Sequence, residues 1–574
     1  MFDLVIRGGR LVDGSGAPER VADVAVAGGI VAEVGRGLGP GRREIGADGL
    51  LVTPGFVDIH THYDAQATWD RQLTPSAWHG VTTAVFGNCG VGFAPVSRGA
   101  EGYLINLMEG VEDIPEAVLA KGIEFRWQSF EDYLDVLAEM PRTMDVAAQV
   151  PHGALRFHVM GERGADHAAV PTAAEIVRMG ALLERALRAG ALGFTTSRTI
   201  KHRARDGRPT PGLSAGEAEL LGLAAAMRRA GAGVLEVNSD FAEGDFELLC
   251  DAARTAGRPL SLLLVQVDSA PDRWREILHK IEQARSMGVG ATAQVGSRPI
   301  GVLMGLECSM QPFAKHPDWL ALQNLTPGGR LARLLGEPEL RRRLVFEHRH
   351  EPHAQWAWKA LERGFELTDE LDYEPPPGQA IAVRAERAGQ DRFALALELM
   401  LARGGSGLIL HPFENYCAGD LDVVRQMLVH PFTVCGVADA GAHVGIICDA
   451  SSPTSLLAHW ARDRRRGPRL PLEFLVRKQT RDTALHYGLG DRGLLAPGYR
   501  ADFNVIDFKR LRLGRPELAY DLPAGGRRLV QKAIGYRHTF VAGEETWTDG
   551  EATSALPGRL LRGARPGPAR AAAQ

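Results

Sequence analysis

The stretch that most constrains this chain is Gly55-Phe-Val-Asp-Ile-His-Thr-His-Tyr-Asp64, an apolar run after Pro54 that ends in His60-Thr61-His62. A β-strand is predicted over Phe56–His62. Side chains on a strand alternate between faces, so Asp58, His60 and His62 would share one face. Two imidazoles at i and i+2, at the exit of a buried strand, can clamp one divalent metal. The plain alternative is two unrelated histidines, and the flanking residues decide between the two.

Pro54-Gly-Phe-Val-Asp-Ile-His-Thr-His-Tyr-Asp-Ala-Gln66 resembles the first-strand signature of the amidohydrolase superfamily. Its last four residues, Tyr63 to Gln66, narrow the resemblance to the D-aminoacylase (N-acyl-D-amino-acid deacylase) branch. Gly80-Val-Thr-Thr-Ala-Val-Phe-Gly-Asn-Cys-Gly90 is similar to that branch's second strand with its metal-binding cysteine. Val437-Ala-Asp-Ala-Gly-Ala-His443 is similar to the eighth strand with the catalytic aspartate, and Gly498 to Asp507 to the closing β-segment. The resemblance spans residues 1 to about 555. It is specific for the superfamily and not for the substrate.

The chain has 574 residues, long for one domain, so one large catalytic unit with accessory parts is expected. A formal net charge of -4 gives no basic excess, so no nucleic-acid partner is expected. No apolar run approaches the ~20 residues that cross a bilayer, and the N-terminus has no secretory pattern, so no membrane partner is expected. Six cysteines in so long a chain make no disulfide framework. Five of them are expected to be buried small hydrophobes, in a reducing cytoplasm. A homo-oligomer is compatible with all of this.

Residues 2–53 read as short strands separated by Gly8-Gly9, Asp13-Gly14 and Gly28-Gly29, and β-branched runs recur at Asp502–Asp507 and Thr539–Ala542. The resemblance implies that these ends join into one β-sandwich-like domain, here 1–54 with 480–556. Between them, strand-like runs at 55–62, 81–89, 144–150, 191–196, 233–238, 260–266, 289–295 and 432–439 alternate with helical stretches such as 173–188 and 215–229. The fold class expected is α/β, a (β/α)8 TIM-like barrel over 55–479 with catalytic groups at the C-terminal ends of the strands. The interval 296–431 is too long for one crossover. It holds Met310-Gln-Pro-Phe313, His316-Pro-Asp-Trp319 and Glu347-His-Arg-His350, and it resembles the branch's lid-like insertion. Residues 557–574, rich in Arg and Pro, read as a disordered tail.

Asp439 alone reads equally as a turn or cap aspartate before Gly441. The resemblance makes it the general acid/base and a metal ligand. With His60 and His62 it forms a His2Asp site whose metal lowers the pKa of a bound water toward ~7. Cys89 lies between Gly87-Asn88 and Gly90, where the backbone is free to bend and the thiol to face solvent. Alone it reads as packing; the resemblance makes it a ligand.

The family's tighter metal also uses two histidines, at the ends of the fifth and sixth strands. Here those slots fall on Asn238 and on Leu264 or Gln266, and no histidine lies near either. Asp240 and Asp268 are weak substitutes. At most one zinc is therefore expected, on His60, His62 and Asp439, with Cys89 as a candidate fourth ligand and Asn238 left to hydrogen-bond substrate. His152, Arg156, His443 and Arg298 are further candidate substrate contacts, Arg298 by pairing with a carboxylate. Met108–Pro115 resembles a segment near the branch's active site, with no physical role evident from sequence.

The expected function is metal-dependent hydrolysis of a C–N amide bond, as in deacylation of an N-acyl amino acid. The alternatives are a cyclic amide or imide hydrolase and, in another class, a metal-free scaffold.

Overall fold

A computed structural model describes residues 1–347 and 352–568. Eight parallel segments form a closed ring, and we number them as the barrel strands. They are β1 (Phe56–Asp58), β2 (Val81–Phe86), β3 (Asp145–Ala148, continued by Val150–Pro151) and β4 (Gly193–Arg198). The others are β5 (Val234–Ser239), β6 (Leu260–Leu263), β7 (Ala291–Val295) and β8 (Thr433–Cys435). Pairing runs β1–β2–β3 and β3–β4–β5–β6–β7–β8, parallel throughout. The ring closes beyond the ladders, where Asp439 N–H donates to His60 O (3.1 Å) and His62 N–H to Ala440 O (2.7 Å). All eight expected strand runs carry one of these strands. The chain from His60 to His62 leaves the ladder after Asp58, short of the strand expected to His62, and is held by these closing bonds, an isolated bridge at Thr61 and bonds from Thr61 N–H and Oγ1 to Val85 O.

The strands are almost wholly buried because helices cover the outside, as parallel sheets require. The helices Ala173–Ala189 and Glu217–Ala230 sit where apolar spacing placed them. The first starts at a capping box between Thr172 and Glu175 and stops at Gly190, whose left-handed backbone suits a residue without Cβ.

Both chain ends build the β-sandwich domain. The strand Phe2–Leu11 bends at Gly8–Gly9, pairing with Gly41–Gly46 before the bend and with Leu51–Pro54 after it. Leu51–Pro54 in turn pairs with Phe503–Ile506, so one nine-stranded sheet crosses from N- to C-terminal sequence. The sheet wraps a core that includes Ile6, Val24, Val52, Phe503 and Phe540. A buried charge cluster fastens it to the barrel: Asp145 of β3 accepts from Arg492 (2.8 Å) and Arg500 (2.9 Å).

The insertion between β7 and β8 pairs Ile300–Met304 with Ile409–Glu414 and packs its helices around Met304, Phe313, Trp319, Leu344 and Phe393. It is a small cored unit rather than a loose cover. Residues 348–350 of the histidine motif lie outside the described residues. The expected disordered tail is corrected for 557–568: Gly558 and Leu561 N–H groups donate to Arg142 and Val146 O, and Leu561 is buried against the barrel floor. Its arginines masked the short apolar anchor.

Candidate metal centre

β1, β2 and the segment after β8 deliver four ligand-type groups to one point. His60, His62 and Cys89 offer ligand atoms all within 4.8 Å of one another, and all three are buried. Cys89 Sγ lies 3.4 Å from His60 Nε2. Asp439 Oδ1 lies 3.2 Å from His60 Nε2 and 3.6 Å from His62 Nε2.

The backbone is shaped for this. Cys89 has φ +56° between Gly87 (φ +85°) and Gly90 (φ +70°), and its N–H donates to Glu236 Oε2 (3.2 Å). The bend expected there is present, but the thiol is 3% exposed and faces inward, because Glu236 and Thr195 draw the turn into the barrel. Asp439 also has positive φ (+46°). At Gly441 (φ +92°) a Cβ would come within 2.8 Å of His62 O, so only glycine lets the Asp439 segment lie this close to the histidines.

Electrostatics mark the point as one built for a cation. Burial would raise the Asp439 carboxyl, yet His60 and His62 outweigh it and hold it well below the usual carboxylate range. His60 is opposed by burial but lifted by Asp439, to about 9. His62 is pushed down by burial to about 4. Burial raises Asp58, Asp64 and Glu236 to about 7 each, and lifts Glu112 and the Cys89 thiol well above their ordinary values. His62 Nδ1, Glu236 Oε1 and Asp58 Oδ2 are buried without hydrogen-bond partners. So many acidic groups around two imidazoles are costly alone, and a divalent cation removes that cost by drawing the ligands into their deprotonated forms. The nitrogen, sulfur and carboxylate donors suit zinc.

The weak substitutes for the missing histidines are engaged by other groups. Asp240 accepts from Thr199 Oγ1 (2.7 Å) and Ile200 N–H (2.8 Å), and Asp268 pairs with Arg363. Gln266 bonds the main chain at Pro271 and Cys417, and Leu264 is buried apolar surface. Asn238 does reach the centre: its Nδ2 donates to Cys89 Sγ (3.7 Å) and faces His202 Nε2 (3.3 Å). His443 enters from the Asp439 segment, with Nε2 3.6 Å from Glu112 Oε2.

Three candidates are engaged elsewhere. His152 and Arg156 both bond Glu219 Oε1 (3.0 Å each), and Arg156 also donates to three loop carbonyls, at Asp166, Ala169 and Pro211. The two side chains are fully buried and build the barrel wall. Arg298 pairs with Asp449 (2.7 Å) and lies over the Tyr373 ring (4.2 Å). Asp449 and Asp439 line one cavity of about 20 Å³, and Arg298, which does not line it, pairs with Asp449 behind it. The six cysteines form no disulfide; four of the remaining five are buried as expected, and Cys417 is partly exposed.

Sequence reasoning did not single out Glu236 and Gln294, which lie against His60 from inside β5 and β7, nor His202 and Glu112. His202 follows β4 and is held by Ser197 Oγ (3.0 Å); it lacks any strand-end pattern. Glu112 ends a helix, and its contact with His62 Nδ1 (3.3 Å) gives the Met108–Pro115 segment a physical role.

Barrel, sandwich and this cluster together define a metal-dependent hydrolase of the (β/α)8 class. More particularly, the chain belongs to the amidohydrolase family, whose model matches residues 43–344 and 395–551. It is 29% identical to the N-acyl-D-aspartate deacylase of Alcaligenes xylosoxydans xylosoxydans, over 97% of this chain and 95% of that one. It is 28% identical to the N-acyl-D-glutamate deacylase of the same organism, over 98% and 96%. Among solved structures, a D-aminoacylase described by its binuclear metal centre superposes with a TM-score of 0.65 at 25% identity, over 98% of this chain and all of that one. The N-acyl-D-glutamate deacylase of Bordetella bronchiseptica, complexed with zinc and a phosphonate inhibitor, gives 0.64 at 26%, over 98% and 99%. No helix among the described residues is long and apolar enough to cross a membrane.

Proposed function

We propose that this chain deacylates N-acyl-D-amino acids, releasing a carboxylic acid and the free amino acid. The buried His60–His62–Cys89–Asp439 cluster carries the reading, because it joins a metal donor set to one carboxylate free to move a proton. Similarity to the N-acyl-D-aspartate and N-acyl-D-glutamate deacylases supports the substrate class. His60, His62, Asp439 and Cys89 would hold one zinc ion per chain. A zinc ion there supplies Lewis acidity and a water acidic enough to react near neutral pH.

Asp439 is the general acid/base. Its carboxyl is ionised, as the neighbouring imidazoles require, so it accepts a proton from the attacking water. It then delivers that proton to the amide nitrogen, whose bond to the acyl carbon breaks; without the proton the amine is a poor leaving group. Asn238 and His443 face the same centre and orient the substrate. Arg298 positions Asp449 beside Asp439, and His152 and Arg156 support the wall. We place the domain boundaries near residues 54, 480 and 556, with the insertion at 296–431. Six unpaired cysteines fit a cytoplasmic protein.

The test is hydrolysis of a panel of N-acetyl-D- and N-acetyl-L-amino acids, beside hydantoin and dihydrouracil, by zinc-loaded protein. Turnover of the D-series, lost on chelation and restored by zinc, is expected. Preferred turnover of the cyclic amides would replace the reading with imide hydrolysis. No turnover and no bound metal would leave a scaffold.

A further inference from the structure

The two histidine ligands have different partners behind them. His60 Nδ1 bonds a neutral amide, Gln294 Oε1, at 3.1 Å, with the Glu236 carboxylate further off at 3.9 Å, and Gln294 is itself fixed by donating to Ser261 Oγ (2.9 Å). His62 Nδ1 instead lies 3.3 Å from a carboxylate oxygen, Glu112 Oε1, outside hydrogen-bond geometry, and has no hydrogen-bond partner among the described residues. Glu112 is 2% exposed at the last position of the helix Glu101–Glu112, where the chain turns through Asp113 in the left-handed region (φ +52°). Its second oxygen lies 3.6 Å from His443 Nε2, and its main-chain carbonyl accepts from His443 N–H. Asp113 Oδ2 accepts from Gly445 N–H (3.0 Å). One helix end therefore touches both the β1 histidine and the segment that carries Asp439.

We propose that Glu112 is the positioning residue of the metal centre: it holds His62 with Nδ1–H toward itself and Nε2 toward the cation, and it ties the His443 segment to that ring. The reason is the imidazole's own chemistry. One nitrogen must be a lone-pair donor to bind metal, so the other carries the proton, and whatever accepts that proton sets the tautomer and the ring angle. A carboxylate acceptor also makes the ring a more basic ligand than an amide does. Glu112 thus acts on His62 at 3.3 Å, closer than the 3.9 Å at which Glu236 lies from His60, whose Nδ1 is oriented by Gln294. The inference rests on the metal-centre reading and not on the identity of the substrate.

The experiment measures zinc affinity by chelator competition on full-length protein stripped of metal and refilled, with the cobalt(II) absorption spectrum as a second readout. Loss of such a partner costs 10–100-fold in metal affinity, which is the fall expected for Glu112→Ala. Glu112→Gln keeps the shape and an acceptor oxygen but not the charge, and should bind zinc weaker than wild type by about threefold or more, with altered cobalt bands. Glu219→Gln removes an equally buried carboxylate, one that faces His152, and should leave zinc affinity unchanged whatever it does to melting temperature. If Glu112→Ala does not fold, Glu112→Gln decides. Wild-type zinc affinity in Glu112→Gln, or equal weakening in Glu219→Gln, would overturn the proposal. Zinc affinities in the expected order with no amide hydrolysis by wild type would leave it standing and remove the deacylase reading instead.

Discussion

Asp439 Oδ1 lies 3.2 Å from His60 Nε2, although 379 positions separate the two in the chain. The contact closes the barrel and assembles the metal centre at once, because Asp439 N–H also donates to His60 O. Replacing the side chain while keeping its size should separate these roles. Asp439→Asn keeps the fold and loses the proton carrier, so kcat should fall by about 10²–10⁴. Steady-state kinetics beside a melting curve check this; a kcat near wild type would remove Asp439 from the chemistry.

Metal content should saturate near one zinc per chain. By the resemblance, the slots that hold histidines for the branch's tighter metal fall here on Asn238 and on Leu264 or Gln266, and Asp240 and Asp268 are engaged by other groups. Elemental analysis after equilibration with excess zinc measures the number. Two tightly held ions would show that another donor set exists, and His60→Ala/His62→Ala should abolish the single one.

Arg156 gives a contrasting case. Its guanidinium is fully buried on Glu219 and loop carbonyls, so Arg156→Ala leaves Glu219 short of a partner. Breaking such a pair costs about 3–5 kcal/mol, read as a lower denaturation midpoint. KM of the refolded fraction should stay at the wild-type value. A rise in KM with unchanged stability would return Arg156 to the substrate.

Asp145→Ala probes the joint between barrel and sandwich. It strips one acceptor from Arg492 and Arg500, both themselves buried, while Asp491 and Asp502 still pair with them, so the loss should stay below the about 3–5 kcal/mol of a fully broken buried pair. Denaturant unfolding should show a lower midpoint, and a midpoint at the wild-type value would show that the cluster adds nothing net.

Stability should fall with acid through two histidines that are not metal ligands, His79 and His486. His79 bonds Thr454 Oγ1 and Gln531 O, and burial holds it down to about 3; His486 bonds Ser261 Oγ and burial holds it down to about 4. The unfolded chain takes up these protons near pH 6.5, while the native state refuses them until about pH 3–4. Their contribution is therefore complete above pH 6.5 and is lost as the pH falls below it, by about 2 kcal/mol per histidine at pH 5. Melting curves from pH 8 to 5 test the direction; His79→Gln should flatten the dependence.

The sequence pattern, with the resemblance it carries, determined the strand count, the closing β-domain and which four groups, His60, His62, Cys89 and Asp439, meet at one point. Those features are local. The His60-Thr61-His62 spacing put two imidazoles on one short segment, although the strand itself ends at Asp58, glycines flanking Cys89 and Asp439 announced bends, and β-branched runs repeated at barrel spacing. What only tertiary structure decided is which polar groups have partners already. His152 and Arg156 look like free strand-end residues until Glu219, more than sixty positions away, is seen to neutralise them. Glu112 looks like one more helical acid until the chain folds its carboxylate onto His62. The Arg-rich tail looks solvated until Leu561 finds the barrel floor. A side chain's periodicity is written in its neighbours along the chain, but its charge state and hydrogen bonds depend on groups that approach through space, and no local pattern encodes them.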